Sequence, residues 1–265
     1  RLELDRGVAE DAVRRMRADG FPRNGIQQVH EHALERLAAQ EFETIADCLK
    51  SLPESGNTWI NIDGLHDADV IAQIGAAFSL HDLVLEDILD TTLRPKIEEN
   101  GDHIFIVSKM LRLRGETFAF EQVSLVVGKG YVLSFQEQPG DVFDPVRKRL
   151  DNSAGRIRKS GADYLAYALI DVMVDGYFAV LEHMGNRVET VEELLISDPD
   201  SVTIQDIHAI KRELLFLRKT VWPLREVISS LYGIEAPLVK KSTRPFLRDV
   251  YDHTIQVMDT LETLR

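Results

Sequence analysis

Cysteine is almost absent from this sequence, since Cys48 is the only one among 265 residues. A single thiol, with no second cysteine and no Cys/His cluster nearby, excludes both a disulfide framework and a zinc finger. A chain of this length can bury enough apolar surface to be stable without such crosslinks, as one large or two modest domains. The scarcity of cysteine also fits a reducing cytosol.

Positive charge is scarce as well. The sequence has 31 lysines and arginines against 44 aspartates and glutamates, which gives a formal net charge of -13. Because proteins bind nucleic acids through clustered lysine and arginine, we expect no nucleic-acid partner. An acidic surface attracts cations, although acidity also serves simply to keep a protein in solution.

Long apolar runs and catalytic signatures are missing too. No stretch reaches the roughly 18 consecutive apolar residues that a membrane span requires. The most apolar long segment, 164–181, contains Asp171 and Asp175, and the N-terminus lacks the apolar core of a signal peptide. Gly-Lys-Gly at 128–130 lacks the spacing of a phosphate-binding loop, and there is no Gly-x-Ser-x-Gly elbow. We therefore expect a soluble polypeptide that is not an enzyme.

The first two thirds of the chain mix strand and helix patterns. Runs typical of strands lie at 28–32, 58–63, 103–111, 122–127 and 131–135, and the last two flank the Gly-Lys-Gly turn of a hairpin. Helical spacing occurs at 67–78 and 81–89. This order predicts an α+β fold, an α/β/α sandwich with a mixed, mostly antiparallel sheet. Residues 1–24 are interpreted as an N-terminal arm, and 25–240 as the main domain.

Three long helices are predicted after residue 161, at about 162–196, 203–231 and 242–265. The first ends before Pro199, which blocks helix continuation. Its end is acidic and much of the second helix is basic, which predicts an antiparallel pair with complementary charges. The apolar face of the first helix consists of Leu165, Leu169, Val172 or Met173, Tyr177, Val180 and Met184.

The last helix is interpreted as the start of a stalk, residues 241–265. Its apolar positions follow the three-four spacing of a coiled-coil seam. They are Phe246, Val250, His253, Val257, Thr260 or Leu261, and Leu264. No Gly, Asn or Pro stops the pattern, so we expect the natural chain to continue.

Four segments together resemble one family. They read WINIDG at 59–64, HDLVLEDIL at 81–89 with RPKIE at 94–98, KTVWPLREV at 219–227, and RDVYDHTIQ at 248–256. In this order, with helices of the expected length between them, they resemble the CorA family of magnesium and cobalt transporters from about residue 25 to the end. Any one of them alone would be a weak signal.

The resemblance implies a homopentamer in the cell (inner) membrane. Its N-terminal α/β/α domains would form a cytoplasmic funnel, and a long stalk helix would enter the first transmembrane span. The family's pore and its Gly-Met-Asn loop would lie beyond Arg265. On this reading the fragment cannot transport ions but can sense them, with Mg²⁺, and also Co²⁺ or other divalent cations, as the ligands.

The resemblance also implies four metal-binding residues. The position of Asp87 pairs with that of Asp249 on an adjacent subunit, and the positions of Glu86 and Asp171 belong to a second, nearby site. Mg²⁺ prefers oxygen ligands and keeps several waters, so one or two carboxylates suffice. Because neighbours on a helix point about 100° apart, Glu86 and Asp87 must each find a partner elsewhere.

Several alternatives stay open. Without the resemblance, each carboxylate would be an ordinary exposed helix residue, with Asp175 a candidate comparable to Asp171, and His253 is assigned to packing. A zinc transporter of the same superfamily would share the fold. A purely structural oligomerisation domain would assemble indifferently to divalent ions, whereas a sensor would not.

Overall fold

The computed structural model describes residues 25–33, 36–42, 44–53, 56–115, 117–152, 155–198, 203–235 and 237–265, with side chains from residue 40 onward. The predicted arm, 1–24, lies outside them. The described strands are β1 (Gly25–Ala33), β2 (Arg36–Phe42), β3 (Asn57–Asp63), β4 (Lys96–Asn100), β5 (His103–Arg114), β6 (Thr117–Gly128) and β7 (Tyr131–Gln136). The described α-helices are α1 (Ile45–Lys50), α2 (Ala68–Phe78), α3 (Asp82–Leu89), α4 (Asp144–Asp151), α5 (Ala162–Ser197), α6 (Ile204–Gly233) and α7 (Arg244–Thr263).

The described strands form one sheet in the order β2-β1-β3-β7-β6-β5-β4. Only the β3–β7 pair is parallel, so the expected mixed, mostly antiparallel sheet is confirmed. The predicted hairpin joins β6 to β7, and Gly130 in its turn has a φ of 86° that favours glycine. Strands β2 and β4 were not predicted. β4 reads KIEEN and lies at an edge, where its charged residues reach solvent.

Both faces of the sheet are apolar and covered by helices. Along β5, Ile104 and Ile106 face one core with α4 to α7, while Phe105 and Val107 face a second core with α1 to α3. This alternation follows from the two-residue period of a strand. The α/β/α sandwich is therefore confirmed, and α3 lies on the opposite side of the sheet from α5 and α7.

Helix α5 lies directly on the sheet. Its predicted apolar face is confirmed, with Met173 rather than Val172 in the buried position. A Cβ atom on Gly176 would come within 2.9 Å of the carbonyl oxygen of Leu111 in β5, so glycine allows this close approach. The hydroxyl of Tyr177 donates a hydrogen bond of 2.8 Å to the carbonyl of Lys109. These contacts fix the part of α5 that carries the predicted metal ligands.

Two predictions about the long helices need correction. The buried face of α7 contains Leu247 and Thr254, one position beyond the predicted Phe246 and His253. Thr254 is polar, so the pattern of apolar residues does not include it. It can be buried because its hydroxyl donates a hydrogen bond to the Val250 carbonyl at 2.8 Å.

The charge pattern expected between α5 and α6 is also wrong in sign at the ion pair that joins them. Here Arg187 of α5 contacts Glu213 of α6, whereas acidic α5 residues were expected to face basic α6 residues. Among the basic residues of α6, Arg218 instead pairs with Glu262 of α7 at 3.1 Å. Arg218 therefore links α6 to α7, whereas Arg225 pairs with Glu226 on α6 itself.

Helix α5 is the one described helix that is long and apolar enough to cross a membrane by length and composition. In this fold, 67% of its most apolar window is buried inside the domain. That burial is typical of the core helix of a folded domain, which can have the same length and apolar composition as a membrane span.

Candidate metal sites

Helix α3 presents Glu86 and Asp87 in different directions. Its N-cap is His81, whose Nδ1 accepts a hydrogen bond from the backbone N–H of Leu83 at 3.2 Å. The side of α3 that faces the sheet is apolar and buried, whereas Glu86 is exposed and Asp87 is half-buried. The two neighbouring carboxylates therefore differ in exposure, as expected of adjacent positions on a helix. Each needs a partner from outside the helix.

Asp87 already has one partner, Lys96 at the start of β4. The Lys96 ammonium donates to Asp87 Oδ2 at 2.6 Å and to Glu98 Oε1 at 2.9 Å. Burial by itself lowers the pKa of Lys96. The hydrogen bonds and charges of the two carboxylates outweigh burial, so the pKa is raised overall.

The C-terminal end of α3 is tied to the sheet by two buried side chains. Gln122 of β6 donates from Nε2 to the carbonyl of Asp90 at 2.8 Å and to that of Asp87 at 3.4 Å. Lys109 of β5 donates to the carbonyl of Thr91 at 2.8 Å and to Gln122 Oε1 at 3.0 Å. A buried cation here also suits the negative end of the helix dipole.

On the other side of the sheet, α5 and α7 bring three possible ligands together. One ligand atom each from Asp171, Asp175 and His253 lies within 4.8 Å of the other two. The carboxylate of Asp171 accepts a hydrogen bond from Tyr167 at 3.3 Å. Burial raises the pKa of Asp171, and the nearby charge of Asp175 raises it further. A cation between these groups would relieve that repulsion.

Spacing along the two helices explains why this cluster forms. Asp171 and Asp175 are four residues apart on α5, and Asp249 and His253 are four residues apart on α7, so each pair shares one side of its helix. Asp249 is exposed and lies one turn from His253. His253 Nδ1 is buried and has no hydrogen-bond partner among the described residues. The assignment of His253 to packing alone therefore missed a possible ligand.

The sheet separates the four predicted ligands into two groups. Glu86 and Asp87 lie on α3 at one face, whereas Asp171 and Asp249 lie on the helical layer at the other face. The structure thus places Asp171 in a cluster one turn from Asp249. Within one chain, both residues lie on the opposite face of the sheet from Asp87. An ion shared by Asp87 and Asp249 requires two copies of the chain.

Two combinations of these side chains, one of which needs two copies of the chain, offer different donor chemistry. Asp87 and Asp249 supply only oxygen, which suits Mg²⁺. The cluster of Asp171, Asp175 and His253 adds an imidazole nitrogen, which suits Co²⁺ and other transition metals better than Mg²⁺. The residues present therefore fit both Mg²⁺ and Co²⁺.

A third gathering of carboxylates lies buried under α4. Asp141 forms two hydrogen bonds with the Arg147 guanidinium, at 2.6 and 2.5 Å. Asp63 Oδ1 accepts from Asn61 at 3.1 Å and from Gln136 at 3.0 Å. Burial, followed by the charge of Asp141, raises the pKa of Asp63 to about 7. Because the protein supplies its own cation and amides here, this cluster is structural.

Comparisons with known proteins assign the family. A family model described as CorA-like Mg²⁺ transporter protein matches residues 54–265, and one for a family of unknown function matches residues 1–51. The cobalt/magnesium transport protein CorA of Thermotoga maritima is 48% identical over 242 residues, which cover 90% of this chain and 68% of that protein. The chain belongs to the CorA-like Mg²⁺ transporter family. Its members are ion transporters and not enzymes, so the expectation that this chain is no enzyme is confirmed.

Solved structures agree on the fold. The soluble domain of CorA from Methanocaldococcus jannaschii matches with a TM-score of 0.73 at 18% identity, covering 91% of this chain and 93% of that one. The ZntB cytoplasmic domain from Vibrio parahaemolyticus matches with a TM-score of 0.69 at 14% identity, covering 89% and 91%. The chain spans about two thirds of the length of its first curated relatives.

Proposed function

We propose that this chain is the cytoplasmic metal-sensing and gating domain of a CorA-type Mg²⁺ and Co²⁺ channel or transporter. The observation that carries the proposal is the convergence of Asp171, Asp175 and His253 one turn from Asp249, in a chain of a Mg²⁺ transporter family. The whole protein would be a homopentamer in the cell (inner) membrane. Its membrane segments would lie outside this chain, and the divisions 1–24, 25–240 and 241–265 stay predictions.

In this proposal Asp87 of one subunit and Asp249 of the next share an ion. Helices α3 and α7 lie on opposite faces of the sheet, so a second copy has to supply the partner carboxylate. Mg²⁺ keeps most of its water, and two carboxylates are enough to hold it. Glu86 of one subunit would add to the Asp171 cluster of its neighbour in the same way.

Ions bound between subunits would favour the closed state. A ligand shifts an equilibrium toward the state that binds it best, so high cytosolic Mg²⁺ would hold the subunits in the arrangement that brings the carboxylates together. When the ions leave, carboxylates that face each other across the interface repel one another. The closed arrangement would then loosen.

Two alternatives make different predictions. A zinc transporter would share the fold, and the imidazole of His253 would suit zinc, but the oxygen-only pair of Asp87 and Asp249 suits Mg²⁺. A purely structural oligomerisation domain would assemble equally with and without divalent ions. Mg²⁺ binding that depends on Asp87 and Asp249 therefore distinguishes the sensor from the zinc transporter and from the structural domain.

The test is a Mg²⁺ and Co²⁺ titration of the full-length protein by calorimetry and light scattering at matched ionic strength. Asp87→Asn and Asp249→Asn should each abolish the same saturable binding event, because each removes one side of a shared site. Asp259→Asn, an exposed carboxylate on α7, serves as the matched control and should bind as the wild type does. Binding unchanged in both site variants would contradict the proposal.

A further inference from the structure

The Lys96 ammonium lies on the carboxylate that the proposed function assigns to a divalent cation. Its Nζ is 2.6 Å from Asp87 Oδ2, and the two side chains are 31% and 23% exposed, so a solvated ion can reach the pair. We propose that Lys96 is a built-in competitor of the divalent cation at Asp87 and sets the ion concentration at which Asp87 is occupied. The inference rests on the function proposed above.

Both partners are held on fixed elements. Asp87 lies on the last turn of α3, whose end is tied to the sheet by Gln122 and Lys109. Lys96 is the first residue of β4 and is paired with Val107 of β5. The ammonium is therefore kept within reach of Asp87 by the fold, rather than by the chance meeting of two mobile side chains.

Lys96 also has a second place to bind when it leaves Asp87. Glu98 lies two residues further along β4, on the same face of the strand, and accepts from the same Nζ at 2.9 Å. The ring of Phe105 lies beneath, with its centroid 5.7 Å from Nζ. An arriving ion would therefore not leave Lys96 unpaired. This distinguishes a displaceable ion pair from a permanent one.

The physical basis is that one carboxylate oxygen cannot serve both cations. A divalent ion at Asp87 has to displace the ammonium or accept its repulsion at short range, and either route weakens binding. The pair is partly exposed, so the competition is modest. Removal of the ammonium should lower the Mg²⁺ concentration for half-saturation about fivefold.

The competitor also defines the ion-free state. When Mg²⁺ is absent, the positive charge of the Lys96 ammonium lies beside the Asp87 carboxylate and partly neutralises it. Repulsion toward the exposed Asp249 of a neighbouring subunit is then reduced on the Asp87 side. Lys96 would thus set the ion threshold and would weaken, without abolishing, the repulsion that loosens the closed arrangement when ions are lost.

The experiment is a calorimetric Mg²⁺ titration of the full-length protein at about 0.15 M ionic strength, where charges beyond about 8 Å are screened. Lys96→Met keeps the aliphatic stem over Phe105 and Lys96→Gln keeps polarity, so agreement between them guards against a folding artefact. Both should lower the half-saturation concentration about fivefold. Lys129→Gln, which removes a charge at an exposed turn, should change it less than twofold.

A second pair of variants tests the direction of the effect. Glu98→Gln removes the alternative partner, leaves the ammonium on Asp87, and should raise the half-saturation concentration. Glu99→Gln removes an exposed charge at the neighbouring position and should have little effect.

If both Lys96 variants bind Mg²⁺ no more tightly than the wild type while Asp87→Asn abolishes binding, the competitor role is overturned and the proposed function stands. If Asp87→Asn binds normally, the Asp87 site itself fails, and the competitor role with it.

Discussion

Two gatherings of carboxylates in this protein have opposite environments. Under α4, the buried carboxylate of Asp141 pairs with the Arg147 guanidinium. Asp63 and Asp141 also share the side-chain amides of Asn61 and Gln136. Between α5 and α7, neither Asp171 nor Asp175 forms an ion pair with a lysine or arginine among the described residues. The first cluster is balanced from within, and the second is open to a cation from solution.

Asp87 lies between these two cases. Its partner Lys96 is a protein cation, as in the buried cluster, but the pair is partly exposed and Lys96 has Glu98 as a second partner. If the proposed function is correct, the source of the balancing charge separates structural carboxylates from those that bind ions. A permanent guanidinium marks the former, whereas a displaceable ammonium or no partner marks the latter.

The largest effect is expected from removal of the internal cation. Arg147→Met leaves Asp141 buried without its guanidinium partner and also removes the cation from the Trp59 ring, 5.3 Å away. Breaking a buried ion pair by removing one partner costs about 3–5 kcal/mol of unfolding free energy. Urea unfolding of the chain at pH 7 measures this difference.

The matched control is Arg225→Met, which removes an arginine from the exposed pair with Glu226. Exposed pairs are worth about 0–1 kcal/mol, so this variant should unfold close to the wild type. Equal costs for the two substitutions would contradict a structural role for the buried cluster.

The next effect is a pH dependence at Asp63. Its pKa in the folded protein is about 7, raised from an ordinary value of 3.8 chiefly by burial. A raised pKa gives stability that is fully present below about pH 4 and is lost as the pH rises through 7. Relative to Asp63→Asn, which is always neutral, the wild type should lose up to about 4 kcal/mol between pH 4 and pH 8.

Local geometry supports a protonated Asp63. Asp63 Oδ2 and Gln136 Oε1 are buried, and neither has a hydrogen-bond partner among the described residues. The two residues are register partners in the parallel β3–β7 pair, and Gln136 already donates to the other Asp63 oxygen. Urea unfolding of the wild type and of Asp63→Asn at several pH values measures the difference in their unfolding free energies. Glu121, whose pKa is also about 7, contributes equally to both proteins and cancels from this difference. A difference that does not change with pH would contradict the assignment.

Much of the fold could be predicted from local patterns. Short apolar runs typical of strands marked β5, β6 and β7, and three-four spacing marked α2, α3 and the long helices. Strand β4 could not be found in this way, because its charged residues are tolerated only at a sheet edge, and an edge is defined by tertiary pairing. The one-residue error in the face of α7 had a similar origin, since Thr254 is buried through a hydrogen bond to its own helix.

The candidate sites could be predicted only in part. The resemblance supplied Asp87, Asp249, Glu86 and Asp171, whose roles stay predictions. The four-residue spacing of Asp249 and His253 was visible in the sequence, but its meaning depends on how α7 packs against α5. The contact of Lys96 with Asp87 depends on the turn between α3 and β4. The spacing of residues within a helix or a strand therefore could not predict it.

The smallest effect tests the open cluster. Co²⁺ at ten times its dissociation constant should stabilise the chain by about 1.4 kcal/mol, because only the folded state assembles Asp171, Asp175 and His253. His253→Gln should lose most of this stabilisation, whereas any stabilisation by Mg²⁺ should change little, since Mg²⁺ prefers oxygen ligands. His208→Gln, at an exposed position on α6, is the matched control. Urea unfolding with each ion measures the effect, and Co²⁺ stabilisation that survives in His253→Gln would place the ion elsewhere and remove the contrast with the buried cluster.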